Sequence, residues 1–148
     1  MNKDPIVCYV LMRNDLASLG AGKACAHAHH AGTRMVWSVN RSGSPAQFAL
    51  LQKWMAEAEG VGVTIVLEAD EETVKWCVSQ AACLTEQGVS AGVWTDPTYP
   101  STTARGFCLM KVDVCGWILG AKSVLEPLLG DLPLMSNQPW GPNLYELK

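Results

Sequence analysis

The sequence lacks the features that define several common classes of protein. Across its 148 residues, no stretch approaches the roughly 20 consecutive apolar residues that a membrane helix needs, and residues 1–5 carry no signal-peptide pattern. We therefore expect no membrane partner and a cytoplasmic location. The six cysteines form no Cys-x-x-Cys pair, which favours free thiols over a disulfide framework. With 49% hydrophobic residues, the chain can bury one sizeable core, and it is too short for two ordinary domains.

A surplus of positive charge is missing as well. The formal net charge is −3 at pH 7, whereas proteins that bind phosphate backbones usually draw on clustered lysines and arginines. The total charge therefore excludes a broad basic footprint and leaves local clustering open. The basic residues that could form such a cluster are Arg13, Lys23, Arg34, Arg41, Lys53 and Arg105.

Strand-like and helix-like segments alternate along the chain. Continuous apolar or β-branched runs predict four strands, at 6–12, 61–67, 89–95 and 107–114. Amphipathic spacing predicts four helices, at 23–37, 46–59, 71–88 and 120–129, the third with Asp70 as its N-cap. Polar residues predict a loop at 38–45, and two prolines predict an unpaired loop at 96–101.

This alternation predicts an α/β fold with one three-layer domain at residues 1–130. We expect a four-stranded mixed sheet flanked by helices on both faces. Residues 131–148 are rich in prolines and polar residues, which predict an irregular tail. Ligands of α/β domains usually gather where the C-terminal ends of strands meet helix N-termini. Two segments satisfy this rule, 13–23 after the first strand and 96–101 after the third.

The first of these segments resembles the signature of the peptidyl-tRNA hydrolase 2 family. That signature follows an apolar strand with Arg-x-Asp-Leu, a short glycine turn and Gly-Lys-x-Ala-Ala-Gln-x-x-His-Ala. The matching residues are Arg13, Asp15, Leu16, Gly20, Gly22, Lys23, Ala26, His30 and Ala31. Cys25 stands in place of an Ala, and His27 in place of the Gln. The segments 63–67, 71 onward and 88–96 are also similar to the family, and 66–73 with Trp94 is similar to its divergent branch of peptidyl-tRNA hydrolase domain-containing proteins.

The resemblance implies hydrolysis of the ester that joins a peptide to the terminal ribose of tRNA, without a metal or cofactor. The implied partner is the acceptor end of peptidyl-tRNA. A homodimer is compatible with the family, although the sequence fixes no interface. The resemblance implies catalytic roles for Lys23, Asp96 and His30. We expect substrate contacts from six further residues, Arg13, Asp15, Gly22, His27, Thr98 and Ser101.

The sequence departs from the family after Asp96. The family continues with Ala-Gly-Arg-Thr, whereas this chain continues with Pro97, Thr98, Tyr99 and Pro100, so that Pro100 occupies the Thr position. A hydroxyl group could instead come from Thr98 or Ser101. The departure concerns the segment that carries an expected catalytic carboxylate.

Lys23 and Asp96 also suit ester hydrolysis on chemical grounds. The reaction needs a positioned water, an acceptor for its proton, and positive or donor groups where the carbonyl oxygen becomes an oxyanion. Lys23 at a helix N-terminus could stabilise an oxyanion or bind a phosphate. The alternative is that Lys23 is a solvated lysine after a turn, with no part in the reaction. Asp96 could hold the water or a ribose hydroxyl, and an Asp that caps its own loop is the alternative.

Three histidines follow Lys23 on the same predicted helix. His27 and His30 can share its face, so we expect both at the site, with packed histidines as the alternative, whereas His29 points elsewhere. Cys25 beside these histidines invites a zinc interpretation, but one helix cannot aim all four at one ion, so we expect no metal site. The glycine turn lacks the full Walker spacing, which argues against nucleotide hydrolysis.

Two functional hypotheses remain from the sequence. In the first, the protein is a peptidyl-tRNA hydrolase in which Asp96 orients water and Lys23 stabilises the oxyanion or the leaving ribose. In the second, it is a non-catalytic RNA- or protein-binding module on the same fold. The presence of Lys23 favours the enzyme, whereas Pro100 and the acidic net charge favour the module.

Overall fold

The computed structural model describes residues 4–16 and 18–136, and within them it has one four-stranded sheet and four α-helices. The strands are β1 (Ile6–Arg13), β2 (Val63–Ala69), β3 (Ser90–Thr103) and β4 (Gly106–Ala121). The helices are α1 (Ala21–Ser42), α2 (Pro45–Ala56), α3 (Glu71–Ala82) and α4 (Lys122–Leu129). The strand order is β2-β1-β4-β3, with β1 parallel to β2 and the other pairs antiparallel.

Residues of β1 are buried throughout and divide between two apolar cores. Ile6, Cys8 and Val10 face the core that contains residues of α1 and α2. Val7 and Leu11, on the opposite side of the pleat, face the core that contains residues of α3 and α4. The central strands are therefore covered on both faces, and the predicted α/β fold with a mixed sheet flanked by helices is confirmed.

The predicted loop at 38–45 was wrong, because α1 continues to Ser42 and only two residues separate it from α2. The polar side chains of Asn40 and Ser42 donate hydrogen bonds to carbonyls one turn earlier in α1. Ser44 then forms a capping box with Gln47, in which each side chain accepts a hydrogen bond from the other residue's backbone N–H. Local side-chain hydrogen bonds thus determine the boundary between α1 and α2, where the polar composition of 38–45 predicted a longer loop.

The predicted unpaired loop at 96–101 was also wrong. Its residues belong to β3, which pairs with β4 up to Thr103, and Pro100 lies opposite Leu109. Register shifts between Trp94 and Thr95, and between Asp96 and Tyr99, accommodate Pro97. Proline is tolerated here because β3 is an edge strand with one neighbour, so one side of its backbone needs no ladder partner.

Several other boundaries differ from the prediction. The second helix ends at Ala56, before Ala58 and Glu59 adopt positive φ, and α3 ends at Ala82, before a 3-10 turn that closes at Gly88. Strand β4 extends well beyond the predicted 107–114. As predicted, the Asp70 side chain caps α3 by accepting a hydrogen bond from the Thr73 N–H.

The beginning of the predicted tail contacts the outer edge of β2. Leu134 forms an antiparallel bridge with Leu67, and the Glu68 N–H donates to the Pro133 carbonyl at 3.0 Å. The Met135 N–H donates to the Val66 carbonyl. The rest of the tail, 137–148, lies outside the described residues. Among the described helices, none has the length and apolar character required to cross a membrane.

Candidate active site

The turn between β1 and α1 brings Lys23 beside the bulged part of β3. Gly20 is the N-cap of α1 and supplies no side-chain cap, so the first-turn N–H groups have no side-chain acceptor there. The Lys23 Nζ lies 3.3 Å from the Ser18 Oγ and 5.1 Å from the centroid of the Tyr99 ring. Ser18 itself has a φ of 64°, an uncommon conformation for a residue other than glycine. Lys23 is thus held at a turn of unusual backbone geometry.

One turn further along α1, His27 is buried with an exposed fraction of 6%. Its Nδ1 accepts a hydrogen bond from the Trp94 indole N–H at 3.1 Å, and its Nε2 lies 3.8 Å from the Asp96 Oδ2. Because Nδ1 is an acceptor, the proton of the neutral ring is on Nε2, directed towards the carboxylate. Burial lowers the pKa of His27, Asp96 opposes this shift, and His30 and Lys23 reinforce it. His27 is therefore a neutral imidazole at neutral pH.

Asp96 is held by the residue two positions later in β3. Its Oδ1 accepts hydrogen bonds from the Thr98 backbone N–H at 2.8 Å and from the Thr98 hydroxyl at 3.4 Å. The other oxygen, Oδ2, faces His27. Thr98, which was predicted to contact the substrate, thus orients the Asp96 carboxylate in this structure.

Tyr99 lies at the centre of the cluster and is almost completely buried. Its ring stacks on His27 with the centroids 5.9 Å apart, and its hydroxyl shares a hydrogen bond with the Ser18 side chain. Burial raises the pKa of Tyr99, with Asp96 acting in the same direction and Ser18 and Arg13 against it. The phenol is therefore protonated at neutral pH.

His30 occupies the solvent side of the same cluster. It is exposed, and its ring centroid lies 5.1 Å from that of Trp94 and 5.8 Å from that of His27. Gly22 is exposed in the first turn of α1, where an added Cβ would meet no atom within 4 Å. Both positions leave space for a ligand to approach Lys23 and His27.

Arg13 and Asp15 form a separate network at the end of β1. The Arg13 Nε donates to the Asp15 Oδ1 at 2.8 Å, its Nη1 donates to the Asp113 carbonyl at 3.0 Å, and its Nη2 lies 3.1 Å from the Glu71 Oε2. The Asp15 Oδ2 accepts a hydrogen bond from the Glu71 N–H. Burial would raise the pKa of Asp15, but the hydrogen bonds from Arg13 and Glu71 outweigh it, and the pKa is lowered. These contacts connect β1 to the start of α3.

Ser101 is not joined to the cluster by any hydrogen bond or ion pair among the described residues. It lies opposite Cys108 in the β3–β4 ladder, further along the hairpin than Asp96. The structure therefore brings together Lys23, His27, His30, Asp96 and Thr98 of the predicted site. It directs the hydrogen bonds of Arg13 and Asp15 towards α3 and β4.

Sequence reasoning missed three side chains of this cluster. Ser18 and Tyr99 were assigned no role, and Trp94 was noted only as a likeness. Strand alternation alone would not have found Tyr99, because two register shifts in β3 precede it. Nothing in the local sequence marks Ser18 as a partner of Lys23.

Metal-binding geometry is missing from the described residues, which contain no group of three or more His, Cys, Asp or Glu side chains placed to hold an ion. Cys25, His29 and His30 are exposed, whereas His27 is buried.

The fold and the cluster define an α/β protein whose polar site lies between the first turns of a long helix and a bulged edge strand. The family model for peptidyl-tRNA hydrolase PTH2 matches residues 6–135. This match covers most of the chain, and the protein belongs to the peptidyl-tRNA hydrolase PTH2 family. Membership supports peptidyl-tRNA hydrolase activity at the level of the family. A comparison with curated proteins finds no match.

Proposed function

We propose that the protein hydrolyses the ester bond of peptidyl-tRNA and releases free tRNA and peptide without a metal ion. The observation that carries this proposal is the convergence of Lys23, His27 and Asp96 around Tyr99. This cluster combines a cation, a neutral imidazole of defined tautomer and an oriented carboxylate. These groups can position a water, accept its proton and stabilise an oxyanion, which are the tasks of ester hydrolysis.

In the proposed reaction, Asp96 and His27 position the attacking water. The Nε2–H of His27 donates a hydrogen bond to the water, and the water donates one to the Asp96 Oδ2. The separation of 3.8 Å between these two atoms allows one water to contact both. As the water oxygen bonds to the ester carbonyl carbon, Asp96 accepts the proton. The two hydrogen bonds from Thr98 keep the carboxylate in the required orientation.

Lys23 stabilises the charge that develops on the carbonyl oxygen. None of the ion pairs among the described residues engages its ammonium group, which Ser18 and the Tyr99 ring hold in place. The first-turn N–H groups of α1 supply further positive partial charge. When the tetrahedral intermediate collapses, the ester C–O bond breaks, and the ribose oxygen takes the proton from Asp96. The products are a tRNA hydroxyl and a peptide carboxylic acid, which loses the second proton of the water to solvent at neutral pH.

The remaining residues of the site act in substrate binding and support. We propose that exposed His30 and open Gly22 admit the terminal ribose and base. Arg13 and Asp15 hold the end of β1 against α3 and thereby support the turn that carries Lys23. A cytoplasmic location and a homodimer remain predictions, the second of which sedimentation of the purified protein would test.

The competing function is a binding module without hydrolytic activity. Pro100 favours it, because Pro100 replaces the family's Thr and lies in the β3–β4 ladder, where it offers no hydroxyl. The enzyme hypothesis assigns the orienting hydroxyl to Thr98, which contacts Asp96 in this structure. The two functions therefore differ in whether Thr98 can replace the missing group.

A direct assay separates the two functions. Purified protein is incubated with labelled peptidyl-tRNA, with and without a strong chelator, and release of free tRNA is followed over time. We expect turnover that the chelator does not change. An inactive wild-type protein would favour the binding module, and activity that the chelator abolishes would overturn the metal-independent mechanism. Replacement of Asp96 by Asn keeps the shape of the side chain and removes its charge. Loss of turnover in that variant would show that the reaction depends on the carboxylate.

A further inference from the structure

Helix α1 carries a continuous stripe of cationic and aromatic side chains that starts at the candidate active site. Its members recur at alternating intervals of four and three residues, and they are Lys23, His27, His30, Arg34, Trp37 and Arg41. At about 100° per residue, these positions fall within an arc of roughly 80°. At about 1.5 Å per residue, the stripe extends for roughly 27 Å along the helix.

The far end of the stripe is an exposed tryptophan between two arginines. The guanidinium carbon of Arg34 lies 4.6 Å from the centroid of the Trp37 ring, and that of Arg41 lies 4.9 Å from it. None of the ion pairs among residues 4–16 and 18–136 involves either arginine. Each guanidinium group therefore lies beside the Trp37 ring without a carboxylate partner among the described residues, and guanidinium groups bind phosphates through two parallel N–H donors.

Trp37 is 46% exposed, so part of its ring is accessible to a ligand. Trp37 also lines a groove of about 760 Å³ together with Val36 and Trp54. The groove has room for a flat ring beside Trp37. Exposed tryptophan next to arginine is the combination on which unpaired bases stack while their phosphates are bound.

The distribution of charge agrees with a polyanionic ligand on this layer. Residues 16–56 contain no Asp or Glu, and they include four basic residues, Lys23, Arg34, Arg41 and Lys53. Both α1 and α2 lie in this segment. Carboxylates are concentrated in other parts of the chain, for example at Glu71 and Glu72 in the first turn of α3. The net charge of −3 therefore hides a layer of helices that is locally positive.

We propose that Arg34, Trp37 and Arg41 form a binding surface for the RNA that continues from the reacting ester, the part of tRNA next to its acceptor end. This proposal rests on the proposed function. Arg34 and Arg41 lie about 16 Å and 27 Å from Lys23 along the axis of α1, too far to touch the ester and well placed for phosphates further along the strand. The two guanidinium groups bind phosphates, and Trp37 packs against a ribose or a base.

Salt-dependent binding of deacylated tRNA tests the surface without requiring catalysis. Each phosphate contact contributes about 0.7 to 0.9 to the slope of log K against log salt concentration. The double variant Arg34→Gln/Arg41→Gln should therefore make this negative slope shallower by about 1.4 to 1.8 and weaken binding at low salt. The double variant Lys111→Gln/Lys122→Gln removes the same charge from exposed positions outside α1 and α2 and should keep the wild-type slope.

Trp37→Ala provides a second variant in case the first double variant folds poorly. Loss of a stacked base should weaken tRNA binding by about fivefold or more, with little change in salt slope. Unfolding is monitored for each variant to show that it is folded. If the arginine variant and its lysine control have equal slopes, and Trp37→Ala binds as the wild type does, the proposal is overturned and the surface belongs to another kind of partner.

Kinetics with two substrates separate this proposal from the proposed function. The full peptidyl-tRNA is compared with a peptidyl ester of the terminal nucleoside alone, which is too short to reach Arg34 or Arg41. The arginine variant should raise KM for the full substrate by about tenfold or more and leave kcat, and both constants for the short substrate, unchanged. A wild-type protein that hydrolyses neither substrate refutes the hydrolase, and the salt slopes still decide the RNA surface. A wild-type protein that hydrolyses both, with an arginine variant equal to it on both, refutes the surface alone.

Discussion

Replacement of Lys23 by Ala gives the sharpest test of the proposed chemistry. A negative charge that develops about 5 Å from the Lys23 Nζ, at an effective dielectric constant of about 20, is stabilised by ~3 kcal/mol. Loss of this interaction should reduce kcat/KM for peptidyl-tRNA about a hundredfold. The native contacts of the ammonium group are one hydrogen bond of 3.3 Å to Ser18 and the contact with the Tyr99 ring. Such contacts contribute about 0.5–1 kcal/mol, so Tm should fall by about 2–4 °C at most.

The assay follows release of free tRNA at substrate concentrations below and above KM, and thermal unfolding is measured on the same preparations. Lys122→Ala serves as the control, because Lys122 is an exposed lysine at the start of α4. A Lys23→Ala variant with wild-type turnover would refute the reasoning and remove Lys23 from the mechanism. A variant that loses activity only in proportion to its folded fraction would show a structural role instead.

Three further predictions follow from other contacts. Because the folded pKa of His27 lies below its ordinary value, the unfolded chain takes up the proton first. The contribution of neutral His27 to the free energy of unfolding is therefore fully present above about pH 6.5 and is lost as the pH decreases below it. Urea unfolding should show a smaller loss of stability at acidic pH in His27→Gln than in the wild type. Turnover should fall at a more acidic pH, as the pH decreases through the lowered pKa of His27 in the folded protein, since imidazolium cannot accept the Trp94 N–H. A Cβ added at Gly92 would overlap the Trp117 indole, so Gly92→Ala should lower the free energy of unfolding by about 1–3 kcal/mol in denaturant titrations. A thiol reagent added to the native protein should modify the exposed Cys25 and Cys83 rapidly. Three buried thiols should react only after unfolding. Burial raises the pKa of Cys8 and of Cys115 to about 12, and it also raises the pKa of Cys77.

Elements governed by local sequence were predictable. The apolar run of β1 specified a doubly covered strand, and Asp70 marked the start of α3 through a hydrogen bond within its own turn. The spacing of Lys23, His27 and His30 on one helix likewise placed them near one another, because helical geometry fixes which side chains share a face.

Features that depend on distant parts of the chain could not be predicted in the same way. Pro100 disfavours a strand locally, yet it lies in the β3–β4 ladder because β3 is at the edge of the sheet. In the sequence, Arg13 lies where β1 gives way to a loop and looks like an exposed residue. Nothing near it indicated that parallel pairing of β1 with β2 places Glu71 beside it. The position of Tyr99 depends on two register shifts, whose place in a strand no periodicity reveals.

The short segment that follows α4 closes a side of the sheet that would otherwise recruit other chains. An uncovered strand edge presents unpaired N–H and C=O groups that template pairing between molecules. Backbone hydrogen bonds from Glu68 and Met135, together with the Leu67–Leu134 bridge, occupy that edge of β2. A chain cut before residue 133 would keep every side chain of the candidate site and still expose this edge. Residues that take no part in the chemistry thereby govern whether the protein stays dispersed at high concentration.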